Sequence, residues 1–283
     1  MSIDPQILAL MAQLIPTQAP WLDPSCPAPV AERRARMADL QREHLEPLGY
    51  RAYPELDERD EYLTGDGDPI HVRIFTPPTP APRPGYLFFF GGGFWQRSFD
   101  GPDIVDACRR AAAEAGVTVV QLDYPLAPEH PYPAAVEAGF QTLTWMAENA
   151  AALGIDPDRL AVGGQSSGGN LAAATALYAR DHGGPALKLQ ILEVPALDLT
   201  GGHLAAIPGQ TTDSPGPQLA EFMELLSLYG VTELTSDPYV SPLLAPDHAG
   251  LPPALILAAE FDPLRGDAEA YAETLRNAGV PVT

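Results

Sequence analysis

The sequence predicts an α/β protein with a mostly parallel central sheet and helices on both faces. Three observations carry this. From residue 86 onward, short apolar runs alternate with longer amphipathic ones. A serine flanked by glycines stands between an apolar run and an Ala/Leu-rich run, the local pattern of strand, tight turn and helix. The chain has 283 residues, 46% of them hydrophobic, enough for one large core.

The elements follow in order. Two helical stretches open the chain, at residues 4–14 and 29–46, joined by a proline-rich linker at 16–29. Asp4 and Pro5 read as an N-cap and first helical residue. A polar hairpin follows: strand 58–64, a turn at 65–68, strand 70–75. Prolines 77, 78, 80, 82 and 84 mark a surface loop. Residues 86–90 then form a buried strand, 102–115 a helix and 117–122 a strand. In the helix predicted at 134–153, Val136, Phe140, Leu143, Ala147 and Ala150 recur at spacings of 4, 3, 4 and 3. A strand at 160–162 leads through the serine turn to a helix at 170–180. Strands at 187–194 and 254–259 and a helix at 264–278, stopped by Gly279, complete the pattern.

Residues 200–243 are too many for a strand-to-helix connection. They contain a predicted helix at 217–229 with Leu219, Phe222, Met223 and Leu226 on one face. That stripe reads either as core or as a lid over a cleft. The lid is favoured because the segment lies between strands whose carboxyl ends would carry a site. The expected division is N-terminal cap helices at 1–50 and a core at 51–283, with a cap insertion at about 200–236.

Composition narrows the function. Net charge is -21, with 37 acidic against 16 basic residues, and Lys188 is the single lysine. Such a surface repels phosphate backbones and anionic lipid, so neither nucleic acid nor a membrane is an expected partner. Cys26 and Cys108 have no metal or redox spacing, which suits a reducing cytoplasm. The N-terminus lacks a basic region before its apolar patch, so no signal peptide or membrane span is expected. A homodimer is left open.

Gly164-Gln165-Ser166-Ser167-Gly168 is a G-x-S-x-G in the right context. Ser166 takes the nucleophile position; for Ser167, Gln165 would fall on the first glycine. A serine attacking a carbonyl needs N–H donors for the developing oxyanion. Phe90-Gly91-Gly92-Gly93-Phe94 follows a strand and can turn its N–H groups inward. The N–H of Ser167 adds a further donor. An acid is expected after the nucleophile, and Asp262 follows the apolar strand at 254–259. Glu260 and Asp198 are the alternatives. Phe94, Trp95 and Phe222 are candidates for an acyl pocket, although such aromatics serve equally in a core.

These motifs, with Asp123-Tyr124-Pro125 through Ala134, Asp237-Pro-Tyr-Val-Ser-Pro242 and Phe261-Asp-Pro-Leu-Arg265, stand in an order that resembles the hormone-sensitive-lipase-like carboxylesterases of the α/β-hydrolase fold. The resemblance runs from about residue 30 onward. It implies an eight-stranded, mostly parallel sheet with a helical cap. It implies hydrolysis of short- to medium-chain esters through an acyl-enzyme, with no metal or cofactor. By matching position it makes Ser166 the nucleophile and Asp262 the acid. Gly91, Gly92 and Ser167 become the oxyanion donors, and Asp123-Tyr124 a structural turn nearby.

Two departures stand out. Phe90 occupies the place where the family usually has histidine, which predicts altered loop packing or a changed acyl pocket, with the chemistry kept. The family's base histidine follows the acid beyond one more strand. Here all six histidines, His44, His71, His130, His182, His203 and His248, precede Asp262. Residues 279–283 read as the start of that strand. The expectation is therefore a base beyond Thr283, with the C-terminal strand and helix missing from this sequence. Two alternatives accompany it: a non-catalytic small-molecule binder on the same fold, and a hydrolase of amides or formamides.

Overall fold

The computed structural model describes residues 17–18, 20–64, 68–204, 217–233 and 235–283, with residues 217–220 described in backbone only. The predicted helix at 4–14, most of the turn at 65–68 and the side chain of Leu219 lie outside the described residues. The strands are β1 (Asp57–Leu63), β2 (Ile70–Thr76), β3 (Arg83–Phe89), β4 (Thr118–Asp123), β5 (Ile155–Gln165), β6 (Leu187–Glu193) and β7 (Ala254–Leu257). The helices are α1 (Val30–Leu45), α2 (Pro102–Ala115), α3 (Ala134–Glu148), α4 (Ala150–Leu153), α5 (Ser167–Asp181), α6 (Pro217–Tyr229) and α7 (Arg265–Asn277).

The strands form one sheet in the order β1-β2-β4-β3-β5-β6-β7. β1–β2 and β2–β4 pair antiparallel, and the remaining neighbours pair parallel. The polar face expected of an antiparallel edge is visible in β1, most of whose residues are exposed or half-exposed. β4, inside the sheet, is buried on both faces. Residues 281–283 lie beside β7: Ala254 N–H donates to Pro281 O at 2.9 Å, and Thr283 N–H to Ala254 O at 2.9 Å. The bridge from Ala254 to Val282 is parallel. Of the strand start expected at 279–283, residues 281–283 pair with β7 as a bridge outside the seven named strands, so the implied eight-stranded sheet has seven strands among the described residues.

The strand order places the site. From β3 the chain crosses through α2 to β4 on one side. From β4 it returns past β3, through α3, to β5, and then continues through α5 to β6. Right-handed crossovers running in opposite directions put α2 on one face and α3 and α5 on the other. α3 packs against α5 accordingly. The loops after β3 and β5 consequently lie side by side at the carboxyl ends of neighbouring strands, where open α/β sheets place their sites. Those two loops hold Gly91–Gly93 and Ser166.

Several boundaries differ from expectation for local reasons. The helix predicted at 134–153 breaks at Asn149, whose side-chain Nδ2–H bonds back to Trp145 O at 2.9 Å. The second piece, α4, stops at Gly154 with φ 63°. β5 starts at Ile155, five residues before the apolar run, because Ile155 already pairs with Arg83 across a register shift. α5 starts at Ser167, three residues earlier than predicted, running directly on from the Ser166 turn although Gly168 and Gly169 are poor helix formers. Among the described residues, no helix is long and apolar enough to cross a membrane.

Candidate active site

Ser166 lies between β5 and α5 with φ 56° and ψ -119°, a conformation that costs a non-glycine residue about 1–3 kcal/mol. Its backbone is held on both sides. The N–H donates to Glu193 O at 2.9 Å, and the carbonyl accepts the N–H groups of Asn170 at 3.1 Å and Ala196 at 3.3 Å. Asn170, fully buried, donates through Nδ2 to Ala196 O at 2.7 Å and to Val240 O at 2.9 Å. The elbow is thereby joined to the loop after β6. Ser166 itself is half-buried, and among the described residues its Oγ makes no hydrogen bond. Ser167 is buried as the first residue of α5, where a helix leaves its N–H groups without partners inside the helix.

Close approach explains the two motif glycines. A Cβ on Gly164 would lie 2.4 Å from Phe89 O, and one on Gly168 would lie 2.2 Å from the same oxygen. Strand β3, the elbow and α5 thus meet backbone to backbone.

The second loop lies directly against the elbow. A Cβ on Gly91 would stand 3.0 Å from Gln165 O and 3.4 Å from the Ser166 Cβ. Gly92 (φ 141°), Gly93 (φ 57°) and Phe94 (φ 65°) then follow with positive φ. The Gly92 carbonyl accepts N–H groups of Trp95 at 3.3 Å and Gln96 at 2.9 Å, closing a tight turn.

Phe90 anchors the start of this loop. It is fully buried, stacked on Tyr124 at 4.3 Å and edge-on to Phe99 at 6.3 Å. The Tyr124 hydroxyl donates to Phe90 O at 3.0 Å. The Asp123-Tyr124 turn is therefore a support for the glycine loop, and aromatic stacking holds the position occupied by Phe90. Phe90→His is expected to lower stability by about 1–3 kcal/mol, because it places a polar ring in an apolar stack. Urea unfolding of the two proteins checks this; equal midpoints would remove Phe90 as an anchor.

Two of the three candidate pocket aromatics, Phe94 and Trp95, belong to this loop, whereas the third, Phe222, lies beside Gly201. Phe94 is buried face to face with Tyr229 of α6 at 4.0 Å. Trp95 is buried beneath the Arg33 guanidinium, 5.0 Å from its ring centre. Phe222 of α6 is half-buried, with its Cε1 3.4 Å from the Cβ position of Gly201.

The three candidate acids separate by their bonding. Asp262 lies in the turn after β7, half-buried, and its Oδ1 accepts the Leu264 N–H at 2.7 Å. Its Oδ2 makes no hydrogen bond among the described residues. Glu260 is exposed, with its carbonyl accepting from Arg265. Asp198 is buried with both oxygens engaged: Oδ1 by the N–H and hydroxyl of Thr200, Oδ2 by His203 Nδ1 at 2.7 Å. Burial works against its charge, but the hydrogen bonds from Thr200 and His203 prevail and hold its carboxyl below the ordinary range.

A fourth carboxylate escaped the sequence reading. Asp267, in the first turn of α7, is buried, and its Oδ2 accepts the N–H groups of Leu197 at 2.7 Å and Asp198 at 2.9 Å. It clamps the Asp262 turn and its helix to the loop beside the elbow. The signal was available: Asp267, Tyr271 and Leu275 are spaced by four along one helix stripe, and the other two are buried apolar residues. Burial pushes the Asp267 carboxyl up to about 6 from 3.8. Its folded pKa is raised, so its contribution is complete below pH 3.8 and is lost as pH rises through about 6. Asp267→Asn is therefore expected to flatten the pH dependence of stability between these values. Urea midpoints across that range would show it, and parallel curves for the two proteins would refute it.

The histidines have other partners. His44 bonds Leu40 O, His71 lies between Asp60 and Asp123, His182 stacks on Tyr178, and His203 holds Asp198. His248 bonds Pro242 O ahead of β7, at the far end of the sheet as expected, and His130 is exposed. Among the described residues, none bonds Ser166 or Asp262.

Comparison with known proteins gives the family. Residues 86–283 match a family model described as the alpha/beta hydrolase fold. The chain is 39% identical over 254 residues to the esterase LipI of Mycobacterium tuberculosis, covering 88% of this chain and 76% of that protein. It is 42% identical over 237 residues to the carboxylesterase NlhH of the same organism, covering 81% and 72%. A hyperthermophilic esterase from the archaeon Pyrobaculum calidifontis superposes with a TM-score of 0.83 at 33% identity, over 100% of this chain and 88% of that one. The carboxylesterase EstE1 from a metagenomic library gives 0.81 at 35%, over 92% and 87%. With the motif order, the parallel sheet and these relatives in agreement, the chain belongs to the α/β-hydrolase-fold family, in its hormone-sensitive-lipase-like carboxylesterase branch.

Proposed function

We propose that this serine hydrolase cleaves short- to medium-chain carboxylic esters through an acyl-enzyme formed on Ser166. The observation that carries the reading is the left-handed Ser166 elbow with the Gly91 backbone against its Cβ. The Ser166 hydroxyl attacks the acyl carbonyl as its proton passes to a base. The N–H groups of Gly91, Gly92 and Ser167 receive the negative oxygen. The alcohol leaves with the proton, and water then releases the acid by the same steps in reverse. None of the six histidines bonds Ser166 or Asp262 among the described residues, so none of them is the base as placed here; the Asp262 oxygen that makes no hydrogen bond among these residues is the one that would orient an imidazole. In this reading helices α1 and α6 cap the glycine loop, supported by the contacts of Arg33 with Trp95 and of Tyr229 with Phe94, and Phe222 of α6, beside Gly201, joins Phe94 and Trp95 as a pocket residue. The two free cysteines suit work in the cytoplasm.

The test is incubation with a fluorophosphonate followed by intact-mass measurement, alongside turnover of p-nitrophenyl esters of increasing acyl length. One covalent adduct on Ser166, with turnover highest for the shorter esters, is the expected result. A protein that takes no adduct and turns over no ester overturns the proposal. Faster cleavage of the matched anilides would move the assignment to amides.

A further inference from the structure

Gly92, Gly93 and Phe94 have three positive φ values in succession, so no regular helix or strand ladder holds the loop. Two adjacent arginines of α1 take that role. Arg34 donates through Nε to Trp95 O at 2.7 Å and through Nη2 to Ala127 O at 2.9 Å. Ala127 N–H in turn donates to Phe94 O at 3.0 Å, so one guanidinium staples the end of the glycine turn to the Asp123–Pro128 support. Glu129 balances its charge, receiving Nη1 at 3.2 Å and Nη2 at 2.8 Å. Arg33 is almost fully buried. It lies over the Trp95 ring, donates to Trp21 O at 2.8 Å, and grips Glu224 of α6 with both Nη atoms, at 2.6 and 3.0 Å. From α6, Leu225 approaches to 3.0 Å of the Gly93 Cβ position.

The geometry points to Arg34 as a positioning residue for the oxyanion loop, with Arg33 tying that loop to the cap helix α6. A fork with a rigid plane reaches two carbonyls on different segments, which an ammonium cannot do. Cap seating and oxyanion placement are then one equilibrium, because the same loop residues, Trp95 and its neighbours, receive both arginines. The inference rests on the proposed roles of Ser166, Gly91 and Gly92.

The experiment compares wild type, Arg34→Gln, Arg34→Lys and Arg33→Met by kcat, KM and inhibition by an alkylboronic acid. The boronate forms a tetrahedral adduct on the serine and reads the oxyanion donors directly. Displacing the loop by a fraction of an ångström is expected to lower kcat about 100-fold in Arg34→Gln. KM should stay within about threefold, and boronate affinity should fall in proportion to kcat. Arg34→Lys, which retains charge but satisfies one carbonyl at a time, should recover only part of the loss, and it serves if the Gln variant does not fold. Arg33→Met should move KM and kcat together. A lower melting temperature with kcat and boronate affinity at wild-type values would overturn the inference, leaving Arg34 a structural residue. Absence of boronate binding by wild type would instead remove the Ser166 reading and this inference with it.

Discussion

Ser166→Ala is expected to abolish ester turnover, with a loss of order 10⁴–10⁶ in kcat, and to eliminate fluorophosphonate labelling. The substitution isolates the chemistry. Alanine carries the same Cβ as serine and suffers the same strain at φ 56°, and the Ser166 Oγ has no intramolecular hydrogen bond to lose among the described residues. The urea midpoint should therefore be unchanged. The elbow's backbone bonds to Glu193, Asn170 and Ala196 do not involve the side chain. Turnover persisting in the alanine variant would place the nucleophile elsewhere.

Gly168→Ala should produce the largest loss of stability. The new methyl group would fall 2.2 Å from Phe89 O, 2.5 Å from Phe90 O and 2.7 Å from the Phe89 carbonyl carbon. These are backbone atoms of β3 and the residue after it, and no rotamer change can clear them. α5 and β3 must move apart, at a cost of about 3 kcal/mol or more. Because Phe90 leads directly into Gly91, the displacement reaches the oxyanion loop, and activity should fall more steeply than the folded fraction. Denaturation midpoints with kcat measured on the folded protein separate the two effects. A variant as stable as wild type would show that the helix does not lie against β3 as described.

Much of this was legible in the sequence, and the reasons are local. The Ser166 frame followed from which residues flank it, and the alternation of strands and helices from runs of apolar side chains. What was not legible depended on distant contacts. Phe90 could be seen to replace a histidine, but its stacking partner Tyr124 lies 34 residues further on. Asp262, Glu260 and Asp198 were all reasonable acids, because sequence does not show which carboxylate oxygens are already engaged. β5 begins at Ile155 through its pairing with Arg83, and the polar residues 156–159 that follow separate it from the apolar run that marked the strand. Asp267 was missed although its position on an apolar stripe marked it. The implied eighth strand is represented by residues 281–283 beside β7.

The arginine staple has a consequence for evolution and for engineering. In the proposed reading two neighbouring turns carry the chemistry, and α1 and α6 cover them from outside the sheet. Such a layout invites diversification by exchange of the covering segments. Yet Arg33 and Arg34 belong to α1, the proposed covering segment, and bind Glu224, Trp95 O and Ala127 O beside the turn assigned to the oxyanion. A chimera built by transplanting a foreign cap would inherit its own substrate range but forfeit the fastening of the oxyanion loop. Grafts that carry both arginines, with an acid at position 224, are the ones that should retain speed while changing preference.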